Sequence, residues 1–103
     1  TATMGEFPQP WPAYVLAFSV SVFVGAPNDG TNFWTVSLTD AAAGAVASVS
    51  TSAIAAGAGT RLVDTSITQP GDSNPVLIVN ANKTAAPGVI YLVPAVALLR
   101  TGN

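Results

Sequence analysis

The chain has 103 residues, enough for one domain with a single core. Three residues are Lys or Arg and five are Asp or Glu, so 8% are charged, against roughly 25% in an ordinary soluble domain. Half of the residues are apolar and the net charge is -2, which argues against a disordered chain and against a nucleic-acid partner that needs many cations. The absence of Cys and His removes thiol nucleophiles, disulfides, zinc sites and imidazole bases.

The longest dense apolar run does not have the composition of a membrane-spanning helix. Residues 85–99 form this run, and Pro87, Gly88 and Pro94 interrupt it. A spanning helix needs about 20 apolar residues without such breakers. We therefore predict no membrane span, while secretion stays open because a processed chain would have the same sequence.

The first clear element is a strand over residues 14–24. Its apolar residues alternate with small ones, as expected of a strand that buries one face. The residues predicted to face inward are Tyr14, Leu16, Phe18, Val20, Val22 and Val24. Residues 25–30 contain Pro27 and the pair Asp29-Gly30, which predict a hairpin turn.

The rest of the chain alternates between further strands and turns. The predicted strands are residues 33–39, 45–51, 61–67, 76–81 and 89–99, with a hairpin tip at residues 41–44. Pro94 lies inside the last strand and places it at a sheet edge or at a bulge. Six or seven strands with turns every 8–12 residues or so predict an all-β protein, an antiparallel β-sandwich of jelly-roll-like form over residues 13–103.

The N-terminal residues 1–12 are expected to form an extended arm. Pro8, Pro10 and Pro12 surround Trp11 and favour a polyproline-like conformation. Because the arm carries Phe7 and Trp11, we expect it to pack on this domain or on a neighbouring copy.

Candidate catalytic and metal-binding groups are few. Lys83 is the sole lysine, and most of the five acids lie beside turns, where Asp usually accepts hydrogen bonds from local backbone N–H groups. Residues 28–32 bring several oxygens together as Ca²⁺ prefers, but the turn interpretation is favoured because a single Asp supplies little charge. We predict that the protein is not an enzyme and has no catalytic residues, no metal and no cofactor.

Aromatic side chains outside the inward-facing positions predict a contact surface. Trp11, Phe23 and Phe33 are in such positions, and together with Phe7 they are the candidate subunit-interface residues. They could stack on sugar rings or be buried between identical subunits. The scarcity of charge over the whole chain favours the second alternative, because a sugar site would account for only one face.

Several short motifs follow one another in the same order as in a known family. Residues 11–14 read Trp-Pro-x-Tyr, residues 32–35 read N-x-W-T and residues 83–92 read K-T-x-x-P-G-x-x-Y-L. Over about residues 11–100 the chain thereby resembles a small all-β module of tailed-phage and prophage virion proteins. That family often continues with a Tyr-Arg pair where this chain has Leu99 and Arg100. The resemblance implies a structural or adhesive role in a virion and carries no catalytic residues.

The function expected from these observations is that of a non-enzymatic virion structural protein. It would be a capsid decoration or tail-fibre component on the virion surface or otherwise extracellular. Its partners would be other copies, a trimer being one option, together with other virion or filament subunits. The alternatives are a carbohydrate-binding adhesion module that takes surface glycans, and an extracellular filament subunit whose N-terminal arm completes its neighbour's sheet.

Overall fold

Seven strands and no helix make up the part of the chain that the structure describes. The structure is a computed structural model that describes residues 2–8, 13–41, 44–69 and 76–100, with side chains over 15–41, 44–69 and 76–98. The strands are β1 (Ala2–Pro8), β2 (Ala13–Val24), β3 (Phe33–Asp40), β4 (Gly44–Ser50), β5 (Gly59–Asp64), β6 (Val76–Thr84) and β7 (Ile90–Arg100). The expectation of an all-β chain is confirmed for these residues.

The strands form two antiparallel sheets. One has four strands in the order β1-β6-β3-β4, and the other has three in the order β5-β2-β7. Of the connections between successive strands, that from β3 to β4 alone stays within one sheet. Strands that are neighbours in sequence therefore mostly lie in different sheets.

A single apolar core lies between the two sheets. Phe18 and Val20 on β2, Val36 and Leu38 on β3, and Val79 on β6 are completely buried. On β3 and β6 they alternate with half-buried residues, and on β2 the alternation predicted from the sequence holds apart from Ser19, which is buried between Phe18 and Val20. Burial of each such side chain contributes roughly 1.5–3 kcal/mol, so these positions account for much of the driving force of folding.

Two β-bulges change which residues face the core. Leu16 was expected to face inward but is 48% exposed, whereas Val15 is 1% exposed. The register of β2 with β7 shifts between Val15 and Ala17, and this extra residue reverses the alternation. A similar shift opposite Leu38 lets the consecutive residues Val46 and Ala47 both be buried.

The connection after β2 differs from the prediction. Residues 25–30 were expected to turn a hairpin, but they lead from the three-stranded sheet to β3 in the four-stranded sheet. Their turn-forming composition is compatible with either geometry, and sequence pattern alone does not distinguish them. The hairpin predicted at residues 41–44 is confirmed, because β3 pairs with β4 from Asp40 opposite Gly44.

β1 and β7 are each an edge strand of their sheet, among the strands described. β7 pairs with β2 only, among the strands described, so the prediction that Pro94 lies in an edge strand is confirmed. Ala2–Pro8, the first part of the expected arm, is the strand β1 and pairs with β6. Residues 9–12, including Trp11, lie outside the described residues.

Candidate contact surface

The outer face of the three-stranded sheet is apolar. Phe23 on β2, Val63 on β5, and Tyr91 and Val93 on β7 expose 45, 51, 68 and 69% of their surface. We call this surface the apolar face; the β-ladders place on it Ala17, Ser19, Ser21, Phe23, Gly59, Arg61, Val63, Tyr91, Val93, Ala95 and Ala97. A contiguous apolar surface of this kind marks a site of contact with another molecule.

Strand pairing arranges the apolar face in four rows. The first row is Gly59, Phe23 and Tyr91; the second is Arg61, Ser21 and Val93; the third is Val63, Ser19 and Ala95; the fourth is Ala17 and Ala97. Directly opposed residues on antiparallel strands project from the same side of the sheet, so each row is a line of neighbouring side chains.

The apolar face has a bulky end and a small-residue end. At the bulky end the rings of Phe23 and Tyr91 lie with their centroids 6.5 Å apart at an angle of 48°. An open groove beside them is lined by Ser21, Gly59 and Val93 among others. The third and fourth rows carry mostly Ala and Ser on β2 and β7. The rings therefore stand at one end of the face, while the other end combines these small side chains with the exposed Val63 and borders the exposed Leu16.

The apolar face carries little charge. Arg61, on the short strand β5, is its single charged residue. Its neighbours in the row are Ser21 and Val93, neither of which offers a counter-charge. An apolar partner that covers this face must leave the Arg61 guanidinium in contact with water, because the face supplies no counter-charge for it.

The outer face of the four-stranded sheet has the opposite character. We call it the hydroxyl face; it carries Thr35, Ser37, Thr39, Ser48, Ser50, Ile78, Asn80 and Asn82. Its polar groups bond to one another and to the backbone: Asn80 Nδ2 donates to Thr39 Oγ1 at 3.5 Å, and Thr39 Oγ1 donates to the Ile78 carbonyl at 3.4 Å. Such a surface is compatible with water.

The structure separates the predicted interface residues. Phe23 lies on the apolar face, whereas Phe33 is half-buried at the start of β3 in the four-stranded sheet, paired with Thr84 of β6 and on the same side as Thr35. Trp11 and the side chain of Phe7 lie outside the part of the chain that is described. Tyr91, Val93 and Val63 were not among the residues predicted for the contact surface. The sequence of residues 89–99 did indicate such a surface. Both the odd-numbered and the even-numbered residues of this strand are apolar, which predicts a strand that is covered on both of its faces.

The described acidic side chains bond to backbone N–H groups. Asp64 accepts from Ser48 and Ser66, and Asp40 accepts from Val76. Asp29 Oδ1 accepts from the N–H groups of Asn32 and Thr31, and these bonds hold the pKa of this carboxyl below its usual value.

The side chains of Asn28 and Asp29, in the segment considered for Ca²⁺, are likewise engaged in hydrogen bonds within the protein. Asn28 is 7% exposed, and its Oδ1 accepts from the Thr51 hydroxyl. Over the described ranges, no three acidic, Cys or His side chains lie close enough to hold a metal ion. No helix capable of crossing a membrane occurs among the described residues.

Comparison with known proteins adds no relative: no family model, no curated protein and no solved structure matches the chain.

Proposed function

We propose that this protein is a non-enzymatic virion structural protein, a self-assembling β-sandwich module that decorates a phage capsid or forms part of a tail fibre. The observation that carries the proposal is the difference between the two outer faces. One sheet presents Phe23, Tyr91 and Val93 to solvent, and the other presents hydroxyl and amide groups. A protein with one apolar side is built to be covered on that side.

The scarcity of charge supports assembly. Only eight of the 103 residues are charged: three are Lys or Arg and five are Asp or Glu. Obligate interfaces resemble a domain core cut in half and contain few charges. A protein that functions as a monomer would need more charged residues on its surface to remain soluble at high concentration.

The strand order supports a jelly-roll-like arrangement, which we include in the proposal. In a jelly roll the chain passes between two sheets at nearly every connection, with one hairpin near its middle. Here the single hairpin joins β3 and β4, and every other connection changes sheets. The seven strands thus follow the course of an eight-stranded jelly roll without its first strand. Jelly rolls are common in viral capsid proteins.

The two signature segments of the phage resemblance lie side by side in space. Trp34 pairs with Lys83 in the ladder between β3 and β6, and Trp34 Nε1 donates to the Gly88 carbonyl at 2.9 Å. The N-x-W-T and K-T-x-x-P-G-x-x-Y-L motifs, which are distant in sequence, are therefore neighbours in the structure. This supports their use as a combined signature of a module.

The test is the association state of the purified chain. Sedimentation and light scattering at micromolar concentration should give an oligomer at both 0.1 M and 1 M NaCl, because apolar contacts are not screened by salt. A monomer under both conditions would contradict the proposal. Electron micrographs of the assembled material distinguish a particle-bound or closed oligomer from a filament.

A second candidate function is carbohydrate binding, which the exposed Tyr91 ring favours. Aromatic rings on an open surface can stack on sugars, and the groove at the bulky end lies beside that ring. Glycan-array binding by a monomer, lost in Tyr91→Ala or Trp11→Ala, would favour this function over assembly.

The filament alternative needs a different test from removal of the arm. Deleting residues 1–12 would also remove β1 from the four-stranded sheet. Trp11→Ala leaves that strand intact, so loss of filaments in this variant, with an unchanged β-type circular dichroism spectrum, would indicate joining through the N-terminal segment.

A further inference from the structure

We propose that residues 9–12 of a second copy of this chain bind in the groove beside Phe23 and Tyr91, and that this contact joins copies head to tail. The segment reads Gln-Pro-Trp-Pro, and the groove is the open one at the bulky end of the apolar face. This inference rests on the proposed function, that copies of the chain assemble, and it names the two parts of the chain that meet.

The groove has the chemistry of a site for a proline-rich segment. It is lined by the exposed rings of Phe23 and Tyr91 and by Ser21 and Val93 in the next row, and its volume is about 670 Å³, within the range of ligand sites. Aromatic-lined grooves bind proline-rich segments in the polyproline II conformation, because a preformed helix loses little entropy on binding. The backbone carbonyls of that conformation have no internal partner, and the Tyr91 hydroxyl can donate to one of them.

Residues 9–12 have the composition that such a groove takes. Pro10 and Pro12 flank Trp11 and favour the polyproline II conformation, and the indole offers a large apolar surface to the exposed rings. The segment carries no charge, and the residues that line the groove are uncharged as well. Arg61 lies on the same face but not in the lining of the groove, so a single bound segment leaves its guanidinium in water.

The segment cannot reach the groove of its own molecule. Residues 9–12 connect Pro8, the last residue of β1, to Ala13, the first residue of β2. Phe23 lies ten residues along β2 from Ala13, which is roughly 33 Å at about 3.3 Å per residue. Trp11 precedes Ala13 by two residues, an interval that an extended chain spans in at most about 7 Å. The groove thus lies at the opposite end of the 45 Å molecule from the point where the segment enters β2, so another copy must supply it.

The edge of the same sheet is a poorer site for this segment than the groove. Pro10 and Pro12 have no N–H groups, so residues 9–12 cannot supply the ladder of hydrogen bonds that an added strand needs. Pro94 likewise has no N–H to offer along the edge strand β7. A groove that recognises rings and carbonyl groups does not require such a ladder.

The contact joins different ends of the two copies and is therefore heterologous. Each pair still has one free segment and one free groove, so association continues until a ring closes or a filament forms. A straight filament built in this way has a repeat near the 45 Å length of the molecule.

Mixing two variants tests the contact directly. Trp11→Ala keeps the groove but removes the indole from the segment, and Tyr91→Ala keeps the segment but removes a ring from the groove. Each variant alone should need at least tenfold more protein for half-association than the wild type. An equimolar mixture should restore one intact contact and give a complex of two chains that grows no further, which also shows that both variants are folded. Ser48→Ala, at an exposed position of the hydroxyl face, is the matched control and should assemble as the wild type does.

Because the chain has no Cys, a cross-link between single-cysteine variants provides the second measurement. Gln9→Cys places a thiol in the segment, and Ser21→Cys places one in the lining of the groove. After mild oxidation, non-reducing electrophoresis should show at least tenfold more covalent dimer for this pair than for Gln9→Cys mixed with Ser48→Cys. Circular dichroism spectra and melting temperatures of the reduced variants establish that all three are folded.

The possible outcomes separate this inference from the proposed function. An oligomer that survives both Trp11→Ala and Tyr91→Ala would overturn the inference and leave the proposed assembly standing, and so would a mixture that associates no better than either variant alone. If Tyr91→Ala assembles normally but loses binding on a glycan array, the groove is a sugar site and the inference is wrong. A wild-type chain that stays monomeric at every concentration would overturn both.

Discussion

Asn28 and Thr51 are joined by two hydrogen bonds between the loop after β2 and the end of β4. Asn28 Nδ2 donates to the Thr51 carbonyl at 2.7 Å, and the Thr51 hydroxyl donates to Asn28 Oδ1 at 2.8 Å. The same amide donates to the Ile54 carbonyl, and Thr51 Oγ1 also accepts from the Trp34 N–H. Asn28 thus donates to two buried backbone carbonyls of the segment that follows β4.

The first prediction concerns this amide. Asn28→Ala should lower the free energy of unfolding by about 2 kcal/mol, because the buried Ile54 carbonyl loses the amide donor and the Thr51 hydroxyl loses its acceptor, while the Thr51 carbonyl keeps its bond from the Ile54 N–H. Asn28→Asp should be similarly harmful, since a carboxylate cannot donate to the two carbonyls. Thr31→Ala, at an exposed position of the same loop, should change stability by less than about 0.5 kcal/mol. Urea unfolding provides the measurement, and equal values for Asn28→Ala and Thr31→Ala would refute it.

The loop shows where sequence pattern stops being informative. Residues 28–32 were correctly expected to contain local turn bonds, and Asp29 accepts from Thr31 and Asn32. The burial of Asn28 was not predictable, because its partners lie more than 20 residues away in the chain. Alternation located β2 and β3 well, since one face of each is uniformly apolar. It failed at Leu16, where one additional residue in a bulge reverses the pattern.

The sequence predicted that the protein has an apolar contact surface, but not which strands form it. Low charge and surplus apolar residues indicated a contact surface, and Phe23, expected outside the inward-facing positions, is exposed. Phe33 has the same alternation as Phe23 but lies in the other sheet. Long-range strand pairing decides which strands share a sheet. The local alternation of apolar and polar residues in one sequence does not reveal this pairing.

The second prediction concerns Gln69, which acts in place of a strand. Its Oε1 accepts from the Val15 N–H and its Nε2 donates to the Val15 carbonyl, both at 2.8 Å. β5 pairs with β2 only over Phe18–Phe23, so the amide satisfies the backbone beside the bulge. Gln69→Leu should lower stability by about 1–2 kcal/mol and speed hydrogen exchange of the Val15 amide at least tenfold. Thr68→Ala, which retains its backbone bond to Val46, is the control; unchanged exchange at Val15 in Gln69→Leu would contradict the prediction.

The third prediction concerns the close approach of two loops at Gly88. A Cβ there would lie 2.5 Å from the Ala26 carbonyl oxygen, too close to be accommodated without a backbone shift. Gly88→Ala should therefore cost about 1–3 kcal/mol, as overpacking does, and should displace the carbonyl that accepts from Trp34 Nε1. Gly30→Ala is the matched control, because nothing lies within 4 Å of a Cβ at that position. Thermal unfolding and tryptophan fluorescence report both effects, and two equally stable variants would disprove the argument.

The last prediction is a pH dependence that originates at Asp29. The N–H groups of Asn32 and Thr31 stabilise the ionised carboxylate and lower its pKa in the folded protein. A carboxyl whose folded pKa is depressed stabilises the fold above its unfolded pKa of about 4, and this contribution is lost as the pH falls through the folded value. The melting temperature of the wild type should therefore drop between pH 5 and pH 2.5 by more than that of Asp29→Asn, which has no carboxyl to titrate at this position. Thr31→Ala keeps both backbone donors and should retain the wild-type slope. Parallel curves for the wild type and Asp29→Asn would show that the acid sensitivity of the fold arises elsewhere.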